Sequence, residues 1–459
     1  MTDTRPALKR TITLFQATLF GIGLILGAGI YVIIGEAAKI AGNLLWISFL
    51  LSSFLALCTA FSYAELSSLF PKSAAEYVYV KNATKKLSIS IFVGYLTILV
   101  SIVSASAVAI GFSNYLSVFL PMYDPIFYSI ILVSILSFIN FYGIRESIWF
   151  NTIFTIIELS GLIIIILIGL MFGNFSNIDF FESPISSTSL NNNNNNNFLV
   201  LIGLIFGSSA LIFFAYYGFE NIPNIAEETR NPSKTISRAI LLSIIITTIV
   251  YVLVVITSLG LVTWQELATS NVPLALVIEK VLQNKVGSLI ISLIALFATT
   301  NTVLMMLVSS SRIMYGMSKD DALFESFSKI HDKTKTPWLA TIVSALMSIT
   351  VIIIFSNDIS AVSKIAVFGI FTVFVFVNFS YILIKLKGQS SSFSSSISHS
   401  FSILNYKRVP ILAILGIIIS VFMLWQFDLT TVSYSLMIMS ILFLSGILFD
   451  KHTKIRKKY

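Results

Sequence analysis

The chain is poor in charge. Only 50 of its 459 residues are Asp, Glu, Lys or Arg, 11% against the roughly 25% of ordinary soluble domains. That shortage excludes a water-soluble globular enzyme, a nucleic-acid-binding module and a disordered chain; the net charge of +8 does not reverse this. Cysteine is almost absent: Cys58 stands alone, so no intrachain disulfide can form. The three histidines, His331, His399 and His452, are scattered and make no metal cluster, and no metal site is expected. No nucleophile–base pair and no Gly-Lys-Ser/Thr phosphate loop occurs, so no cofactor and no enzymatic activity are expected.

What the chain has in quantity is apolar side chains, 56% of the total. A membrane-spanning helix needs ~20 of them in a row. Twelve runs qualify, at about 12–34, 44–69, 89–119, 126–143, 147–172, 198–225, 236–262, 288–316, 338–355, 362–386, 410–426 and 430–449. The first lacks a small-residue cleavage site and is too long for a secretory signal. With twelve spans and a cytoplasmic N-terminus, 25 of the 29 Lys and Arg fall on the inner side, the exceptions being Lys39, Lys280, Lys285 and Lys364. The asymmetry predicts both the count and cytoplasmic termini. Two low-complexity stretches, Asn191–Asn197 and Ser390–Ser402, read as solvated connectors. Asn174-Phe-Ser176 is a glycosylation sequon on the predicted outer side.

Glycine is scarce, 22 in all, yet Gly21, Gly23, Gly27 and Gly29 lie within nine residues of span 1. Each weakens a helix interior by ~1 kcal/mol relative to alanine. Close packing through small residues accounts for Gly23 and Gly27; the density of the full run predicts a break. In span 6, Gly218 and Glu220 interrupt an apolar run and Pro223 follows, which predicts a second break. Two interrupted helices five spans apart point to a secondary transporter, with its site at the membrane midplane.

Longer motifs carry a resemblance. Gly27-Ala-Gly-Ile-Tyr31, Tyr63-Ala-Glu-Leu-Ser-Ser-Leu-Phe-Pro71 with Glu76-Tyr-Val-Tyr79, Phe213-Phe-Ala-Tyr-Tyr-Gly-Phe-Glu220 with Glu227-Glu-Thr-Arg-Asn-Pro232, and Ser311-Arg-Ile-Met-Tyr315 with Lys319-Asp-Asp321 and Thr336-Pro-Trp338 are similar to motifs of the amino acid–polyamine–organocation permeases. They cover spans 1 to 9. The resemblance implies an all-α integral membrane protein of the leucine-transporter type: a five-plus-five inverted repeat with broken helices 1 and 6 and two accessory C-terminal helices. Its segments would be a cytoplasmic tail 1–11, a first repeat 12–173, an outer low-complexity loop 174–197, a second repeat 198–386, a cytoplasmic Ser-rich loop 387–408, accessory helices 409–450 and a basic tail 451–459.

The resemblance also implies a substrate site. The backbone of Gly27, Ala28 and Gly29 would hold an amino acid's carboxylate, and the carbonyls of Ile25, Phe214 and Tyr217 its amino group. Phe214 would stack over the substrate, with Ala215 and Gly218 completing the segment. Ser73-Ala-Ala75 departs from the usual Gly-Gly pair and puts the tightness of that inner loop in question. Similar proteins that carry a disulfide-linked subunit have a cysteine in the outer loop after span 3; Leu120–Asp124 has none, so no such subunit is expected.

On span 5, Ser147, Asn151, Thr155, Glu158 and Gly161 are spaced 4, 4, 3 and 3, one face of a helix. A carboxylate at mid-membrane must pair with a cation or take up a proton. Similar permeases often carry lysine at this point, so their mechanism does not transfer, and Glu158 is the expected proton-coupling residue. A buried structural glutamate is the competing reading. Ser101 and Ser104 on span 3 are candidate pocket walls, and Thr299-Thr-Asn-Thr302 on span 8 offers hydroxyls for sodium or, alternatively, for its own helix carbonyls. The expectation is proton-coupled uptake of a small or neutral amino acid at the plasma membrane, with the substrate, protons and the bilayer as partners. Exchange or sodium coupling on the same fold remains open, and a sensor or channel is the more distant alternative.

Overall fold

The computed structural model describes residues 12–184, 194–283, 285–334, 336–355, 358–387, 405–406 and 409–456. It is helical apart from a two-residue ladder, Asn405–Tyr406 against Val409–Pro410. The helices are α1 Leu14–Ala41, α2 Leu45–Leu69, α3 Ala75–Thr84, α4 Leu87–Phe119, α5 Pro125–Tyr142 and α6 Ile144–Phe172. They continue with α7 Asn194–Tyr216, α8 Pro232–Leu261, α9 Trp264–Thr269, α10 Pro273–Leu282 and α11 Lys285–Lys319, then α12 Trp338–Phe355, α13 Ile359–Leu386, α14 Ile411–Leu424 and α15 Leu429–Arg456.

Among the described residues, eleven helices are long and apolar enough to cross a membrane. The remaining run, the eleventh, expected over 410–426, forms the 14-residue α14. At 1.5 Å per residue it reaches ~21 Å, short of the ~30 Å hydrocarbon layer. The short helices α3, α9 and α10 lie between spans. The asparagine run was expected to be loop throughout; its last four residues open α7, and 191–193 lie outside the described residues. The serine-rich stretch 390–402 lies outside them too. Three of the four lysines that break the charge asymmetry are ion-paired on the surface: Lys39 with Glu36 at 2.6 Å, Lys280 with Glu266 at 2.7 Å and Lys364 with Asp428 at 3.3 Å.

The expected break in helix 1 is absent. α1 runs as one helix of 28 residues through all four glycines, started by a capping box between Thr13 and Gln16. Its glycines serve packing instead. A Cβ added at Gly21 would lie 2.3 Å from Ser243 Oγ of α8, at Gly23 2.0 Å from Thr155 Oγ1 of α6, at Gly27 1.7 Å from Thr302 Oγ1 of α11 and at Gly29 2.1 Å from Ala215 Cα of α7. Each glycine meets a different neighbour, so the run needs more than one packing face, and its density follows. Lipid supplies no hydrophobic force between helices, and such close backbone approach is what holds them.

The break in helix 6 is present. α7 stops at Tyr216, Gly218 has φ +138°, and a 3-10 segment, Phe219–Glu228, follows with Pro223 inside it. Gly218 is required twice over. Its φ suits glycine, and a Cβ there would lie 2.9 Å from the carbonyl carbon of Leu24 in α1.

The inner loop turns tightly without the glycine pair. Ala74 takes the left-handed conformation, φ +56°, buried against Gly316 of α11, whose added Cβ would come within 3.0 Å of its own. Left-handed backbone costs a non-glycine residue ~1–2 kcal/mol. Ala74→Gly is therefore expected to raise stability by about 0.5–1 kcal/mol after the extra freedom of the unfolded chain is subtracted, measured as a higher midpoint of thermal unfolding in detergent. Gly29→Ala is expected to lose folded protein, since its methyl meets backbone, whereas Gly203→Ala, with nothing within 4 Å, is expected to be neutral or mildly stabilising. Size-exclusion profiles of the two variants compare them directly.

Candidate functional site

α1 and the α7 break cross near the centre of the bundle. There Tyr251 of α8 reaches between them: its hydroxyl donates to the Ile25 carbonyl at 2.5 Å and lies 3.0 Å from the Ala215 carbonyl. Tyr251 escaped the sequence reading. A lone tyrosine in an apolar helix needs a partner for its hydroxyl, and that was the available signal. Of the expected substrate residues, Ile25, Phe214, Ala215 and Tyr217 are buried side by side at this crossing, with Gly218 against Leu24. Ala28 is helical in backbone, and its side chain lies outside the described ones. Within a continuous α1 the amides of Gly27, Ala28 and Gly29 sit in the helix ladder.

The structure joins one expected wall residue to this site. Ser101 Oγ of α4 lies 3.3 Å from Tyr217 Oη. Ser104, one turn on, is buried with its hydroxyl unpartnered. Ser101, Ser104, Phe214 and Tyr217 are themselves uncharged, and the buried Glu220 follows three residues after Tyr217.

A second cluster adjoins Gly23. The stripe on α6 faces inward as its spacing required: Asn151, Thr155 and Glu158 are fully buried, and Gly161 packs on Ile294 of α11. The side chain of Ser147 lies outside the described ones. Glu158 is midway along α6, 14 residues from each end and so ~21 Å from either. An atom placed at the Gly23 Cβ position would touch Thr155 Oγ1, Asn301 Nδ2 at 2.9 Å and Asn151 Oδ1 at 3.0 Å, so α1, α6 and α11 converge there. Both oxygens of Glu158, both amide atoms of Asn151 and of Asn301, and Thr155 Oγ1 are buried without a hydrogen-bond partner. On α11 the threonine hydroxyls are satisfied by their own helix, although that of Thr302 faces Gly27 of α1. Thr299 donates to the Ala295 carbonyl at 2.7 Å and Thr302 to the Ala298 carbonyl at 3.3 Å, so Asn301 is the α11 residue left to face the cluster.

The chain matches the amino acid permease family over residues 12–447. It belongs to that family. The branched-chain amino acid permease BcaP of Bacillus subtilis is 30% identical over 407 residues, 84% of this chain and 83% of that one. The methylthioribose transporter of the same organism is 30% identical over 362 residues, 74% of each. The vacuolar cationic amino acid transporter 2 of Arabidopsis thaliana is 27% identical over 398 residues, 82% of this chain and 60% of that one. The chain is thus a multi-pass membrane amino acid transporter by family, and not an enzyme.

A further buried network surrounds the permease's α7 break. Glu220 accepts from the Gly218 amide at 3.0 Å and from Asn221 Nδ2 at 2.7 Å, which fastens the break. Asn221 Oδ1 accepts from Ser309 of α11. Asn224 Oδ1 accepts from the Ala75 amide at 3.4 Å, and its carbonyl accepts from Ser73 Oγ at 3.3 Å, which ties the break to the inner loop. Beside it, Glu76 at the start of α3 is buried, with one oxygen accepting from Tyr63 Oη at 3.1 Å and the other unpartnered.

Burial pushes the Glu76 carboxyl up to about 7, from an ordinary value of 4.5. The folded chain then holds a proton that the unfolded chain releases above 4.5. Stability falls as pH rises from about 4.5 to about 7, by an order of ~3 kcal/mol at full ionisation. Glu76→Gln keeps an acceptor for Tyr63 and has no proton to lose. Its unfolding temperature is expected to be flatter than that of the unsubstituted protein between pH 5 and 8, and higher at pH 8; thermal melts across pH measure both.

Proposed function

We propose that the chain is a proton-coupled transporter that carries a small or neutral amino acid across the plasma membrane by alternating access, with both termini in the cytoplasm. The observation that carries the coupling is the buried cluster at Gly23. A carboxylate and three polar side chains without protein partners at mid-membrane call for a bound species or a proton. The charge asymmetry of the loops supports the orientation, and the walls Ser101, Ser104, Phe214 and Tyr217, which offer no counter-charge, support a substrate with an uncharged side chain.

The five-plus-five repeat assigns α1, α2, α4, α5 and α6 to one half (12–173) and α7, α8, α11, α12 and α13 to the other (198–386), with α14 and α15 accessory. Helix packing supports it: the most extensive contacts join α4 to α11 and α2 to α8, members of equal rank, and α1 packs as extensively on α7, also its equal, as on α8.

Substrate binding opens α1 at Gly27–Gly29. Opening frees the amides of Gly27, Ala28 and Gly29 for the carboxylate. It also withdraws the Gly29 amide from the Ile25 carbonyl, which leaves that oxygen, with those of Phe214 and Tyr217, for the ammonium. Gly27 and Gly29, the two glycines of this turn, lower the cost of unwinding by ~1 kcal/mol each relative to alanine. Phe214 covers the bound molecule.

Sodium is the second reading, because the oxygens of Glu158, Asn151 and Thr155 and of Asn301 would also suit a hard cation. Proteoliposomes separate the two. Uptake of a labelled neutral amino acid is expected to follow an imposed pH gradient and to ignore a sodium gradient. Glu158→Gln is expected to lose the pH dependence while retaining exchange of substrate across the bilayer. Full pH dependence in Glu158→Gln would remove Glu158 from the mechanism, and sodium-driven uptake would replace the proton.

A further inference from the structure

A hydroxyl in a membrane helix commonly spends its proton on a carbonyl one turn back, because lipid offers no partner. On α4, Ser90, Thr97, Ser101, Ser106, Ser113 and Ser117 all do so, at 2.7–3.0 Å. Ser104 departs from the rule. It is 1% exposed, yet its hydroxyl has no hydrogen-bond partner.

That unspent hydroxyl belongs to the central site. Ser104 is three residues from Ser101, on the same face of α4, while Ser106 turns away to the Ser348 carbonyl of α12 at 3.1 Å. Opposite Ser101 and Ser104 stands Tyr217, just past the end of α7. Its Oη lies 3.3 Å from Ser101 Oγ, and Ser104 faces it from beyond hydrogen-bond distance. The protons can be assigned. Ser101 gives its own to the Thr97 carbonyl at 3.0 Å, so in the pair with Tyr217 the tyrosine donates. Two capacities remain unused side by side: the lone pairs of Tyr217 Oη and the proton of Ser104. The carboxylate of this segment is already engaged, since Glu220 accepts from the Gly218 amide at 3.0 Å and from Asn221 Nδ2 at 2.7 Å.

We infer that Ser104 and Tyr217 form a subsite for a hydroxyl on the substrate's side chain, so that the transported amino acid is of the serine and threonine class. The inference rests on the amino acid reading proposed above and names the side chain that reading leaves open. The substrate oxygen accepts the Ser104 proton and gives its own proton to Tyr217 Oη. A hydroxyl is a small group that both donates and accepts, and the pair requires both. A methyl group in its place leaves Ser104 buried and unpaired. An ammonium offers Ser104 no acceptor, and a carboxylate sets its lone pairs against those of Tyr217.

Threonine and valine have nearly the same shape and differ by the hydroxyl, so together they isolate it. The full chain in proteoliposomes is given labelled threonine, valine or alanine, and KM and kcat are measured for each. The KM for threonine is expected roughly tenfold below that for valine, the size of one buried polar group paired against unpaired, with the difference in KM and not in kcat. Ser104→Ala is expected to abolish most of that difference by raising the KM for threonine. Equal KM values in the unsubstituted protein, or a threonine preference that survives in Ser104→Ala, overturn the subsite and leave amino acid transport standing. Uptake of alanine but of neither threonine nor valine overturns it as well. Uptake of none of the three overturns the subsite together with the reading it rests on.

Discussion

The arrangement of this permease depends on how closely α1 can be approached. Four glycines in nine residues let four other elements come within contact of its backbone: α8 at Gly21, α6 at Gly23, α11 at Gly27 and α7 at Gly29. A methyl group at Gly29 would coincide with the backbone of α7, and one at Gly23 or Gly27 with a threonine hydroxyl. In a bilayer no water is released when helices meet, so such contacts must hold by dispersion and by hydrogen bonds. The bundle is thus organised around a helix whose central residues have no side chains, and the polar groups of its neighbours point at bare backbone.

The two glycine-bearing helices have different solutions. In α1 the glycines are spread over several faces and the helix survives. In α7 a single glycine takes a positive φ, and the side chains after it make the break stable: Glu220 satisfies the Gly218 amide, Asn221 and Asn224 bind Ser309 and the inner loop, and Pro223 prevents the helix from resuming. A helix break needs replacement partners for its freed amides. Span 6 carries them within six residues; the Leu-Gly-Ala-Gly-Ile run of span 1 carries none. That difference was present in the sequence and separates a break held open by side chains from one that is not.

Much of the fold was legible because lipid is a strict solvent. Apolar run length located the long helices, and a 4, 4, 3 spacing put Asn151, Thr155 and Glu158 on the inward face of α6. The misses share a cause. Tyr251 and Asn301 matter through groups more than a hundred residues away, and no local pattern states such distances: Tyr251 pairs with Ile25, and Asn301 converges with Asn151 beside Gly23. Ala74 is legible only against expectation, since alanine in a left-handed turn becomes tolerable when Gly316 opposite leaves it space.

The same constraint explains why the mid-membrane carboxylate stands on α6 and not on the helix it serves. No side chain fits α1 at Gly23, so the ionisable group must come from a neighbour, and Glu158 supplies it two turns along the stripe from Asn151. A proton or ion held there meets α1 only through backbone. It can bias α1 between closed and opened forms only if its binding free energy differs between them. Closed, α1 places a rigid helix turn against Thr155, Asn151 and Asn301. Opened at Gly27–Gly29, one turn further along, α1 can shift that wall and expose carbonyls that a cation could use and a neutral carboxyl could not. Under the coupling proposed above, the cluster would distinguish the two forms of α1 by what its occupant can coordinate, and the direction of coupling would be set by whether the occupant arrives as a proton on Glu158 or as a cation beside it.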